Sequence, residues 1–542
     1  MHGATRVGWA VAGATAIALV ASACGGGGGG DAAGVVRASW GDPQNPLEPA
    51  NTNEVQGGKV LDMIFRGLKH YDPKTAEAKN AVADKIETED NQTFTITLKK
   101  GWKFSDGTDV TAHSFVDAWN YGALVTNKQI GSSFFQHIEG YDEVHPADEG
   151  AEPTAKTMSG LTVEDKYTFT VKLKEKFTLW PETLGYTAFA PLPKAFFDDH
   201  DAWLAKPVGN GPYKVDSYTR SQSMRLSKNE AYSGEEKVNN EGVELRVYTD
   251  NNTAYTDLQA GNIDIIDDVP ASQLKNAERD LGGRYINQPA GIFQTINFPM
   301  YEGAWGSGRA KKVRQGISMA INRKEITEKI YFRTRTAASD FTSPVLQKAG
   351  GYKKGLCGDE CTYDPGKAKE LIEEGGGLPG GRMTLSSNVD TGSHRQWMDA
   401  VCNSINNALG RSNACTVNPV STFPEYRSRV TAKRMKGPFR AGWQMDYPLI
   451  QNFLQPLYYT NASSNDSGYS SEKFDRLIDE ANSAEDDEES LELYQEAEKV
   501  LSDDLPAIPL WYQNGTAGYS DRIDNVRLNP FSVPVYNEIT VN

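Results

Sequence analysis

Histidine is scarce in this chain, with 7 in 542 residues. His2, His70, His113, His137, His145, His200 and His394 are scattered, and His137 and His145 stand too far apart to share one helical face toward a metal. The sequence contains no HExxH, no GxSxG and no GxxxxGK[ST]. Gly366-Lys367 lacks the upstream glycine and is followed by Ala368, so it is not a phosphate loop. These absences argue against a zinc peptidase, a serine hydrolase or a P-loop enzyme, and no catalytic residue, cofactor or metal is expected. Basic residues are outnumbered, with Lys+Arg 56 against Asp+Glu 72 and a net charge of -16. Such a chain repels phosphate backbones, which excludes nucleic acid as an expected partner. Beyond the N-terminus no apolar run is long enough to span a bilayer.

The N-terminus itself reads as an export signal. Arg6 is the only Arg or Lys before residue 37, and Trp9 to Ala23 is small and apolar. The stretch ends at Ala21-Ser22-Ala23-Cys24, small residues before a cysteine, as a lipoprotein signal peptidase requires. Cys24 is therefore the expected lipidated N-terminus, although Ala21 stands where Leu is usual. The competing reading is an ordinary secretory signal with Cys24 incidental. Gly25 to Gly30 follow and read as a flexible tether. Residues 1–23 are thus assigned as signal and 24–34 as lipidated cysteine and tether, which places the folded body outside the cytoplasmic membrane.

Cys357, Cys361, Cys402 and Cys415 remain, an even number suited to an oxidising compartment. The local pairs Cys357–Cys361 and Cys402–Cys415 are expected. A zinc site is the competing reading, weakened by poor spacing and by the lack of a nearby histidine.

At this length one ordinary core is exceeded, and two or three lobes are expected. Val35 to Trp40 is a short apolar stretch broken by Gly41-Asp42-Pro43. Gln92 to Lys100 alternates Phe94, Ile96 and Leu98 with threonines, a half-buried strand, and Lys166 to Lys174 repeats the design. With a helix near Ser114 to Tyr121 between them, they predict a small α+β unit. Asp364-Pro365 opens a helix that Gly375-Gly376-Gly377 ends, and Ile317, Ala320 and Ile321 mark another. Phe474, Leu477, Ile478 and Ala481 share a helical face, as do Leu493, Tyr494, Ala497, Val500 and Leu501. The acidic run Asp486 to Glu489 between them reads as a solvated turn. Ile508 to Tyr512, after Pro506, reads as a buried strand. The mixture argues for α/β lobes.

Several phrases resemble one family, the extracellular solute-binding proteins of the oligopeptide/dipeptide type (family 5). They are Gly101-Trp102-Lys103-Phe104-Ser105-Asp106-Gly107-Thr108 and Gly209-Asn210-Gly211-Pro212-Tyr213, then Leu258 to Asp264. Val313 to Ile317 with Ala320-Ile321-Asn322-Arg323 follows, and Ala441 to Tyr447 closes the series. Asn210 and Asn322 depart from the Thr and Asp usual there. The resemblance implies an α/β, periplasmic-binding-protein-like two-lobed hinge trap (type II, large cluster) with an extra α+β domain inserted in the first lobe. The implied division is lobe I from 35–65, 186–289 and 506–542, the inserted domain 66–185, and lobe II 290–505. Crossovers near Gln288–Ile292 and Asp504–Pro509 form the hinge.

The implied function is that of a substrate-binding lipoprotein which captures oligopeptides or dipeptides for an ABC permease and its ATPase subunits. A monomer is expected, held at the outer face of the cytoplasmic membrane by its lipid alone. Affinity for many peptides must come from what all share: the ammonium, the amides and the carboxylate. A buried charge needs a fixed opposite partner. Asp446 is the implied partner of the ammonium, from the Gly-Trp-x-x-Asp-Tyr pattern; the competing reading is a surface or capping aspartate. On a strand Phe439 to Gln444, Arg440, Gly442 and Gln444 face one way. Gly442 would admit ligand backbone, and Arg440 would meet a carboxylate or form a salt bridge within its lobe. Trp443 and Tyr447 are candidate pocket walls or core, and His394 is a carboxylate contact in some relatives or a surface histidine. The edge near Ser39 to Gln44 is the expected opposite wall. The alternatives are an oligosaccharide, a nickel chelate or another small solute in the same fold, or a signalling peptide.

Overall fold

Two 13-residue strands, Tyr285–Asn297 and Ala507–Tyr519, pair antiparallel and carry the rest of an eleven-stranded sheet. The computed structural model describes residues 33–52, 54–148, 150–389 and 394–542. The signal segment, Cys24 and the glycine tether lie outside the described residues. Ala507–Tyr519 is buried almost throughout, as expected of a strand covered on both faces. Beyond its far end Ile265–Ile266 leads to Val35–Trp40, Gly242–Val247, Ser223–Lys228 and Tyr213–Thr219. Beyond Tyr285–Asn297 come Phe439–Gln444, Met383–Asn388 and Cys415–Val420. The long pair slips register between Pro289 and Ile292, opposite Asn514 and Gln513. The first coincides with the crossover read at Gln288–Ile292. A second slip, between Gln294 and Thr295, falls opposite Trp511 and Pro509, at the end of the stretch read as Asp504–Pro509.

The α+β unit is present as a four-stranded sheet in which Thr93–Leu98 and Thr168–Lys172 are central neighbours, with Ile96 opposite Phe169. Helix Ala112–Ala123 packs Phe115 and Trp119 against Phe169. Asp364 caps helix Pro365–Glu374 by accepting from the Lys367 amide at 2.9 Å. The acidic run is a helix start rather than a free turn. Asp486 accepts from the Glu489 amide at 2.9 Å, and its acidic neighbours sit in the first turn, where the positive end of the helix dipole favours them.

Most of the quoted phrases turn out to be joints of the scaffold. Asn210, fully buried, accepts from the Arg66 amide at 3.0 Å and donates to the Arg66 carbonyl at 2.9 Å. A side chain at Gly209 would begin 2.0 Å from the Ile64 carbonyl oxygen, so only glycine lets helix Val55–Ile64 end there. Asp264 is buried between Arg37, at 2.7 Å, and Arg522. Arg323 donates to the Pro509 carbonyl at 2.6 Å and Arg314 to that of Leu505 at 3.0 Å, tying two successive helices, Gly308–Met319 and Arg323–Lys329, to the entry of the long strand. Cys357 pairs with Cys361, Cα atoms 5.7 Å apart, and Cys402 with Cys415 at 4.8 Å.

Candidate functional site

Strand Phe439–Gln444 is paired to Tyr285–Asn297 along one edge. On its other edge the neighbouring strand meets it only at Phe439, opposite Ser386. The Arg440 carbonyl accepts a hydroxyl from Tyr426, away from the paired edge. Backbone groups alternate edges along a strand, so Gly442 and Gln444 turn their N–H and C=O the same way. Gly442 is exposed. The result is an open strand edge with acceptors and donors ready for another extended backbone.

Two cavities lie along it. One of about 320 Å³ holds Gln444, Met445 and Asp446. Its other wall is Thr52, Glu54, Val55, Gly58, Lys59 and Asp62 at the start of a helix, with Tyr71 and Tyr186 from beside the four-stranded sheet. The second, about 160 Å³, holds Arg440, Gly442 and Trp443. The stretch Ser39 to Gln44 lines neither; the first lobe contributes the next turn of chain instead.

Asp446 is held by one residue. Asn452 accepts from its amide at 2.9 Å and donates to its carboxylate at 3.0 Å, while also taking the Trp443 indole at 3.1 Å. The carboxylate keeps some contact with solvent through the cavity yet is otherwise walled by protein. That burial pushes its pKa up to about 6, against the smaller opposing effect of the Asn452 hydrogen bond. Burial raises Tyr186 too, and the Asp446 charge adds to it, which puts the phenol within electrostatic reach. Among the described residues no cationic side chain pairs with Asp446. Lys59, the cation of the opposite wall, is paired with Asp267.

Arg440 folds over its own strand. A side chain added at Gly442 would begin 3.0 Å from Arg440 Nη2. Its Nε is buried without a hydrogen-bond partner, and burial lowers its pKa. No carboxylate pairs with it among the described residues, so the salt bridge within the lobe is not formed.

The other candidates go elsewhere. Tyr447 is buried with its hydroxyl on Gln451 at 2.8 Å, and it lines neither cavity. His394 is not a surface residue: it is 7% exposed and accepts from the Trp397 indole at 2.9 Å. It also lines neither cavity. Residues not singled out from the sequence, Lys59, Tyr71 and Tyr186, complete the wall. The one sequence signal was Lys59, a lysine directly before the mostly apolar stretch Val60-Leu61-Asp62-Met63-Ile64. No group of three or more His, Cys, Asp or Glu among the described residues is arranged to hold a metal.

Residues 77–465 match the model of the bacterial extracellular solute-binding proteins, family 5 Middle. The chain belongs to the bacterial extracellular solute-binding proteins of family 5. Among family 5 proteins it is 25% identical to the dipeptide-binding protein DppE of Bacillus subtilis over 504 residues, 90% of this chain and 88% of the relative. It is also 25% identical to the oligopeptide-binding protein OppA of that organism over 492 residues, 87% of this chain and 86% of the relative. The unliganded open form of MppA, a periplasmic murein tripeptide binding protein, superposes with a TM-score of 0.77 at 22% identity, covering 94% of this chain and 97% of MppA. The fold is thus the α/β two-lobed trap of this family with its inserted α+β domain. No helix among the described residues is long and apolar enough to cross a membrane.

Proposed function

We propose that the chain is the extracellular substrate-binding lipoprotein of an ABC importer, and that it captures short peptides between its lobes. The family supports the solute-binding role, and the names of the relatives support peptides as the solute. The observation that carries the reading is Asp446: a carboxylate walled in beside an open strand edge, with no cation of its own. A ligand ammonium supplies that cation, and the ligand backbone adds along Gly442 and Gln444 as an extra strand. The Arg440 guanidinium, which lines the second cavity on the same strand and has no carboxylate partner among the described residues, suits a carboxylate. Lobe I, the inserted domain and lobe II are then as divided by residue number above. Cys24 carries the lipid, the body works as a monomer outside the cell, and a permease with its ATPases receives the peptide. It is not an enzyme in this reading.

Titration calorimetry with a short free-amine peptide and its N-acetylated form tests this. The wild type should bind the free amine and bind the acetylated form poorly. Asp446→Ala should weaken the free-amine complex roughly thirtyfold or more, the loss expected when one partner of a buried charge pair is removed. Equal affinity of the wild type for both forms would remove Asp446 from this role.

A further inference from the structure

A pocket of about 340 Å³ opens at the opposite end of strand Phe439–Gln444 from Asp446. That strand alone spans about 20 Å, and the pocket shares no lining residue with the Asp446 cavity. Arg382 enters it from just before strand Met383–Asn388, Arg429 and Arg434 from the end of helix Phe423–Thr431 and the turn beyond, and Lys436 from just before Phe439. In a chain of net charge -16, this pocket is lined by these cations and by no carboxylate.

Two of the charges are already answered from outside the pocket. Arg429 pairs with Glu425 one turn back, and Lys436 with Glu302 at 2.6 Å. Arg382 and Arg434 have no carboxylate partner among the described residues; the Arg434 guanidinium makes one long contact, 3.4 Å, to the Ser428 hydroxyl. Deeper in the pocket Ser386 is 4% exposed. Its oxygen accepts from the Asn418 amide at 3.1 Å, and among the described residues its own proton has no acceptor. A buried hydroxyl proton without an acceptor thus lies beneath two exposed guanidinium groups that have no carboxylate partner among the described residues, all lining one pocket.

We propose that this pocket binds a phosphate group, either free or carried by an anionic lipid headgroup. Guanidinium forks match the oxygens of phosphate two at a time, and the doubly charged ion compensates both arginines. A tetrahedral oxyanion keeps a third oxygen for the Ser386 proton. The volume leaves room for the organic part of a phosphomonoester beside its phosphate.

The test is titration of the full chain with inorganic phosphate and glycerol phosphate, alongside sedimentation with vesicles of phosphatidylglycerol or of phosphatidylcholine. Saturable binding of phosphate or glycerol phosphate is expected. Retention on phosphatidylglycerol but not phosphatidylcholine would assign the group to a lipid; soluble phosphate binding without retention would assign it to a free solute. The double variant Arg382→Gln/Arg434→Gln should weaken binding by about tenfold or more, the size expected for lost charge-assisted hydrogen bonds. Ser386→Ala, which leaves the charge unchanged, should weaken it less but measurably. Peptide affinity should be unaltered in all of them, which also reports that they fold. Absence of saturable binding to phosphate, glycerol phosphate and vesicles alike would overturn the proposal. So would a double variant that binds as the wild type does.

Discussion

The Met445 amide donates to the Gly291 carbonyl at 2.9 Å, and the Gly291 amide donates to the Pro530 carbonyl at 2.7 Å. Gly291 lies where the two long strands slip register, so one residue joins the crossover, the C-terminal segment and the residue before Asp446.

A methyl group at Gly291 would begin 2.4 Å from Met445 Sδ. Gly291→Ala should therefore displace Met445 and, with it, Asp446. Overpacking of this kind costs about 1–3 kcal/mol, and peptide affinity should fall about tenfold in parallel. Titration calorimetry and a thermal melt check both; a variant that melts lower but binds normally would separate the crossover from the site.

Asp446 should cost stability when no ligand is bound. Its folded pKa of about 6 lies above the ordinary 3.8, so the folded chain holds the proton more tightly than the unfolded one. Stability is then highest below the unfolded value and falls as pH rises toward 6, by about 3 kcal/mol in all. Asp446→Asn should melt at a higher temperature than the wild type above pH 6 and near the same temperature well below pH 4, while losing free-amine peptides. For the wild type, peptide affinity should drop as pH falls below about 6. Melts and titrations across that range decide it.

Glu498 should set a second, later slope. It is fully buried, takes the Phe341 amide at 2.7 Å, and burial with the nearby Asp340 pushes its pKa up to about 8. The sign is the same: stability present below the unfolded value is lost as pH climbs from 4.5 through about 8. Above about pH 7 Asp446 has lost most of its proton, so the remaining decline between about pH 7 and 8 should flatten in Glu498→Gln and persist in Asp446→Asn. Thermal melts of both variants at about pH 7 and 8 distinguish them.

Asn210→Ala should lower stability by about 2–4 kcal/mol, because two buried backbone groups of Arg66 lose their partners at once. Since Asn210 touches no cavity along the strand edge, peptide affinity should survive in the fraction that folds. A change in affinity without a change in melting would show that the phrase around Asn210 acts on the ligand.

Periodicity located the elements well where burial is one-sided. The threonine-rich strands Thr93–Leu98 and Thr168–Lys172 and the helix opened by Asp364 all appear where alternation or capping put them. The quoted phrases identified the family but did not separate joints from site. Asn210 and Asp264 are buried polar groups satisfied by distant backbone or arginine, and Asp446 differs in lacking such a cation. Asp446 also keeps some exposure, where Asn210 and Asp264 are fully buried, and these differences lie in three dimensions and leave no mark on spacing. Tyr71 and Tyr186 reach the cavity from beside another sheet, hundreds of residues before Asp446, so no local pattern marks them. His394 and Tyr447 show the reverse: polar side chains in suggestive positions that the core satisfies internally.

The strand Ala507–Tyr519 follows every other strand of its sheet in sequence, yet it sits near the middle of that sheet, between Ile265–Ile266 and Tyr285–Asn297. Neither flank closes on the other until it arrives. The two halves of the sheet are therefore joined only after the whole intervening chain has been laid down, so the completed sheet depends on contacts between residues far apart in sequence, which favours slow, late closure.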